Sequence, residues 1–128
     1  MSCYVYAFGH WAGPYKVGYT SQVAMRRSHL RNSFAGNAPA SSADGCYQFL
    51  LRAAHGSAAH IERMAHDLLH DFRSEHTQTR AWCRNEWFEC DIVTVIDAIR
   101  LAGRVYERQG YVDRLAPKLI LGLVADPG

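Results

Sequence analysis

Lysine is scarce in this chain: of fourteen basic residues only Lys16 and Lys118 are lysines, leaving twelve arginines. That ratio argues against binding through a diffuse cloud of ammonium groups and suits bidentate contacts to phosphate. The net charge is only +2, so charge alone does not point to DNA. No Cys-x-x-Cys pair occurs among Cys3, Cys46, Cys83 and Cys90, which removes a zinc knuckle. Four thiols without a leading signal peptide fit a reducing, cytoplasmic interior. No apolar run is long enough to span a bilayer, so no membrane role is expected. Internal repeats, linkers, a helix-turn-helix extension and zinc fingers are also missing. Sequence-specific recognition of a nucleic acid therefore needs determinants inside one domain, or a targeting partner protein. A length of 128 residues and an apolar fraction of 48% suffice for one core, read as a single domain over 1–128.

What is present begins with a hairpin. Cys3 to Phe8 alternates with period two, His10-Trp11-Ala12-Gly13-Pro14 carries turn chemistry, and Tyr15 to Tyr19 is a second short strand. Residues two apart on a strand share a face, so Tyr4 and Tyr6 point one way, and Lys16 and Gly18 share one face of the partner strand. Tyr6 and Lys16 can thus converge. Thr20 or Ser21 can cap a helix from Val23 to Leu30 that carries Arg26, Arg27 and His29. Taken alone, these residues also fit an ordinary β-β-α start with surface arginines.

Further along, Cys46 to Ala54 reads as a third strand and Ser57 to Phe72 as a helix behind a Ser57 cap, with Ile61, Met64, Ala65, Leu68 and Leu69 at helical spacing. Glu62, His66 and His70 recur four apart on it and make a metal site geometrically feasible; equally, His66 can pair with a carboxylate or pack under Tyr6, and His70 can be solvated. Ala35 to Gly45 is a small-residue loop. Ile92 to Tyr106 has helical rhythm, with Gly103 a point where the helix can break or tighten. The run Leu119 to Val124 suits docking on the core or on a second subunit, as in a homodimer.

Tyr4-Val5-Tyr6, Lys16-Val17-Gly18, Thr20, and Arg26 eight positions after Gly18 together resemble the first half of the GIY-YIG nuclease family. Lys16 replaces the family's second tyrosine and Tyr4 its first glycine; the chain resembles branches, among them small phage and fungal proteins, that carry lysine there. Glu62 followed by His66 is similar to the "E, three residues, H" signature of that branch. Asn85-Glu86-Trp87-Phe88, with Arg80 a few residues before, resembles its closing motif. The resemblance covers about residues 3 to 90, leaving 91–128 as a helical extension. It implies an α/β (α+β) fold in the order β-β-α-β-α, with a three-stranded, mostly antiparallel sheet flanked by helices and an extra C-terminal helix. It implies a metal-dependent endonuclease acting on DNA.

The resemblance assigns Tyr6 to the nucleophilic water, Arg26 to the scissile phosphate and Glu62 to a divalent cation, Mg²⁺ or else Mn²⁺. Such chemistry needs positioning, an activated water and a counter-charge for the phosphate oxygens. Mg²⁺ keeps its waters, so one carboxylate with substrate oxygens is a reasonable site. Lys16 either binds phosphate or, with its pKa lowered from about 10.4, assists as a base. Arg27 is a backbone-phosphate contact or a solvated charge, His29 a phosphate contact or a surface residue, and Tyr19 lines a groove or packs. Asn85 stands near the metal or forms the turn before a strand. Two alternatives stay open: a nucleic-acid-binding module of this fold that does not cut, and a metal-binding structural protein using Glu62, His66 and His70.

Overall fold

The computed structural model describes residues 2–31, 44–75, 77 and 86–107. Tyr, Val and Phe favour extended backbone, and they dominate β1 (Ser2–Gly9) and β2 (Tyr15–Thr20). The chain continues through α1 (Val23–Arg31), β3 (Cys46–Ala54), α2 (His55–Leu68), a 3-10 turn (His70–Phe72), β4 (Trp87–Phe88) and α3 (Ile92–Glu107). One fully antiparallel sheet results, in the order β3-β1-β2-β4. The α+β architecture is as expected, but the sheet has four strands rather than three. The added strand is two residues long, too short to carry an alternation pattern.

β1 is paired on both edges, and side chains pack on both of its faces. Cys3, Val5 and Ala7, with Val17, Phe49, Ala53 and Phe88 of the neighbouring strands, meet Ala58, Ile61, Ala65 and Leu69 of α2 and Val95, Ala98, Ile99 and Ala102 of α3. Tyr6 and Phe8 point the other way, into a second cluster with Leu30, Tyr47, Leu50 and Trp87. Val5, Phe8, Leu50, Ile61 and Phe88 are fully buried, and each contributes about 1.5–3 kcal/mol of apolar transfer. A register shift between Ala7 and Phe8 leaves Gln48 without a partner on β1, and its side-chain amide donates to the Gly9 carbonyl at 3.1 Å.

Local expectations at the helix ends divide. The Thr20 hydroxyl accepts the Gln22 N–H at 3.0 Å, so it organises the entry to α1 as foreseen. For α2, however, the residue before the first turn is Ala54, while Ser57 is buried inside the helix. The helix also stops at Leu68, and Leu69 at φ −99° and ψ 9° hands over to the 3-10 turn. Gly103 does not break α3: a Cβ there would come within 2.6 Å of Leu51 Cδ2, so the missing side chain lets the helix lie close on β3. Arg80, Asn85, Cys83, the run Leu119 to Val124 and most of the Ala35 to Gly45 loop lie outside the described residues. Among the described residues no helix is long and apolar enough to cross a membrane.

Candidate active site

The β1–β2 register sets Tyr6 opposite Gly18 and Phe8 opposite Lys16, and paired residues share a face. Tyr6 and Lys16 are therefore diagonal neighbours on one side of the sheet. A Cβ at Gly18 would collide with the Tyr6 hydroxyl and come within 2.7 Å of its Cζ. Gly18 is thus the gap through which the phenol reaches across β2. The Tyr6 ring meets Tyr47 edge to face at 5.4 Å, and the Tyr47 hydroxyl donates to the Val23 carbonyl at 2.6 Å. That bond ties the first turn of α1 to the sheet. Arg26, next along that helix, is solvent-exposed yet near enough to act electrostatically on Tyr6, Tyr47 and Lys16.

From the opposite side comes α2. Ala58, Ile61, Ala65 and Leu69 recur at helical spacing and face the sheet; Glu62 and His66 stand one residue, about 100°, further round, on the flank toward β2. Both are buried, at 4% and 8% exposure. β4 pairs only with Tyr15 and Lys16, so Val17 lies just past the end of that ladder. Its N–H donates to the Glu86 carbonyl at 3.3 Å, and its own carbonyl takes the Nε2 of His66 at 2.7 Å. The His66 Nδ1 faces Glu62 Oε1 at 3.7 Å and Glu86 Oε2 at 3.6 Å. Glu86 Oε1 lies 3.6 Å from the Arg73 guanidinium, while Glu86 Oε2 is buried and makes no hydrogen bond among the described residues.

This enclosure moves the protons. Burial lowers the Lys16 amine to about 8; Glu62 and Glu86 work against the shift and Arg26 adds to it. Burial raises the Tyr6 phenol well above the usual range, opposed by Arg26 and helped by Tyr47 and Glu62. Tyr47 is likewise pushed up to about 12 by burial. Burial also lowers His66, with the Val17 hydrogen bond and Glu86 pulling the other way. Tyr6 therefore stays a neutral phenol, whereas Lys16 can give up its proton near neutral pH.

Tyr6, Lys16, Arg26, Glu62 and His66 are brought together. Tyr4 is half-buried beside the Tyr6 cluster, Arg27 is half-buried within electrostatic reach of Tyr47, and His29 is exposed on α1. Of the two readings of Tyr19 the packing one holds and the groove-lining one does not: its odd position on β2 turns it to the face that packs on α2 and α3, away from Lys16 and Gly18. The Glu62/His66/His70 stripe is corrected too. His70 sits beyond the helix end and is exposed, and among the described residues no three His, Cys, Asp or Glu side chains are arranged to hold a metal. Two further residues belong to the site without a role legible in the sequence: Glu86, known there only as part of a motif, and Tyr47. Glu86 adjoins the aromatic pair of β4; Tyr47 carried no signal, since its place depends on the bulge in β1–β3 pairing.

A family model described as the T5orf172 domain matches residues 2–103, a span that contains every residue of this site. No curated protein and no solved structure matches the chain.

Proposed function

The chain belongs to the T5orf172 domain family, a nuclease-associated family, and we propose that it is a GIY-YIG-type endonuclease that hydrolyses DNA phosphodiester bonds with a divalent metal. The observation that carries this reading is the buried pair Lys16 and Glu62, within electrostatic reach of each other and of an exposed arginine on a different element. A purely structural arrangement has little reason to bury an amine at this cost.

In the proposed mechanism Arg26, at the open side, holds the scissile phosphate through its planar fork. Tyr6, kept protonated, orients the attacking water from above Gly18. Lys16 in its neutral form takes the proton from that water. The donor set fits a hard cation: Glu62 is a buried carboxylate, and Glu86 Oε2 is a buried oxygen without a hydrogen-bond partner among the described residues. Mg²⁺ or Mn²⁺ held by Glu62 would supply Lewis-acid charge toward the phosphate oxygens.

Purified protein is incubated with supercoiled plasmid, single-stranded DNA and a branched substrate in Mg²⁺ or Mn²⁺, beside Arg26→Ala and Glu62→Ala. Cleavage by the wild type, reduced at least about 100-fold in each variant, is the expected result. Intact substrates in every lane overturn hydrolysis; a gel shift without cleavage assigns the chain to the binding-module alternative.

A further inference from the structure

An antiparallel strand alternates groups that bond to one neighbour with groups that face the other side. On β2 the Val17 pair faces away from β1, toward the side where β4 has already ended at its pairing with Lys16. The Val17 carbonyl there is satisfied by a side chain, the imidazole of His66, at 2.7 Å. A carbonyl can only accept, so a proton lies on Nε2, and the other ring nitrogen, Nδ1, stands beside the carboxylates of Glu62 at 3.7 Å and Glu86 at 3.6 Å, beyond hydrogen-bond distance. Phe88 of β4, with its ring centroid 5.5 Å away, packs on the imidazole.

We propose that His66 is a positioning residue that locks the open edge of β2, and with it Lys16 and Gly18, at a fixed distance from the carboxylates of Glu62 and Glu86. The two residues flanking Val17 carry the amine and the phenol-accommodating gap. Glu62 lies one helical turn before His66, and the Glu86 backbone carbonyl accepts the Val17 N–H at 3.3 Å. The ring therefore couples α2 to β2 at the Val17 carbonyl, and the Val17 N–H, bonded to the Glu86 carbonyl, carries the segment leading into β4 with it. An aliphatic side chain at position 66 would leave the Val17 carbonyl without its donor.

The inference rests on the hydrolytic reading only for its kinetic arm. Nitrogen-15 NMR of the wild type is expected to show the ring proton on Nε2. A spectrum with the proton on Nδ1 alone overturns the lock whether or not the protein cuts DNA. In plasmid cleavage, His66→Phe, which keeps a flat ring against Phe88, is expected to lower kcat by about 10- to 100-fold with KM for DNA unchanged. His66→Gln places an amide N–H where Nε2 stood and is expected to recover most of that loss. An unchanged kcat in His66→Phe, or a rise in KM alone, overturns the proposal, as does a His66→Gln variant no better than His66→Phe. If His66→Phe does not fold, the wild-type tautomer and the kcat of His66→Gln decide. A wild type that cuts nothing but shows the Nε2 proton defeats the hydrolytic reading and leaves the lock standing.

Discussion

Raising the pH through 8 distinguishes the two roles open to Lys16, because they respond with opposite sign. Burial lowers its pKa from 10.5 to about 8. On that value about one tenth of the amine is neutral at about pH 7 and about nine tenths at about pH 9. With an unshifted pKa, only about one molecule in 3,000 would be neutral at about pH 7. If neutral Lys16 accepts the proton of the attacking water, kcat/KM rises about tenfold over this interval and levels off above it. If charged Lys16 holds phosphate instead, kcat/KM falls about tenfold across the same interval. Bound phosphate stabilises the ammonium, so the corresponding limb in kcat should lie at higher pH than in kcat/KM. The assay is plasmid nicking at fixed cation and ionic strength, with Lys16→Arg alongside. Arginine keeps the charge and cannot titrate. A base role predicts that Lys16→Arg is nearly inactive and flat with pH. A wild-type profile that falls through pH 8, or an active Lys16→Arg, refutes the base.

Stability should carry the same signature. The folded chain releases the Lys16 proton near 8 and the unfolded chain near 10.5, so the unfolded state holds more protons between them. Urea unfolding should therefore show stability rising across that window by up to about 3 kcal/mol, a rise absent in Lys16→Met. Above the ordinary phenol value of 10.0 the sign reverses, since Tyr6 and Tyr47 keep protons in the folded state that the unfolded chain gives up. Gly18→Ala drives a methyl into the Tyr6 ring and should cost about 1–3 kcal/mol; Gly56→Ala, with nothing within 4 Å of the new methyl, should stabilise by up to about 1 kcal/mol. Equal midpoints for these two in urea would contradict the Gly18 geometry. Tyr6→Phe should lower kcat by about 10- to 100-fold through a misplaced water while the pH limb near 8 persists; loss of that limb would make the phenol the titrating base.

Local pattern was enough wherever local physics sets the outcome. The strand Cys46–Ala54 and the helix Ile92–Glu107 follow from β propensity and from helical spacing of apolar residues, and both were anticipated closely. The ends of α2 were not, because Ser57 offers a plausible cap in sequence, yet the helix can begin straight from β3 at Ala54. The fault in the Glu62/His66/His70 stripe has the same origin: spacing by four is a face only while the helix continues.

The sequence by itself determined that Tyr4 and Tyr6 share a face of one strand and Lys16 and Gly18 a face of its partner, that Glu62 rides on a helix, and that Arg26 stands one element beyond β2. Each of these is a statement about one element or one hairpin, where the periods of 2 and 3.6 decide. Tertiary structure decided which of these groups are buried together, and therefore which protons move. The lowered amine of Lys16 and the neutral phenol of Tyr6 come from desolvation and from charges on separate elements, and the same enclosure buries a Glu86 oxygen that makes no hydrogen bond among the described residues. No spacing in the chain encodes that enclosure; it exists only once α1, α2 and the segment before β4 close around the open edge of β2.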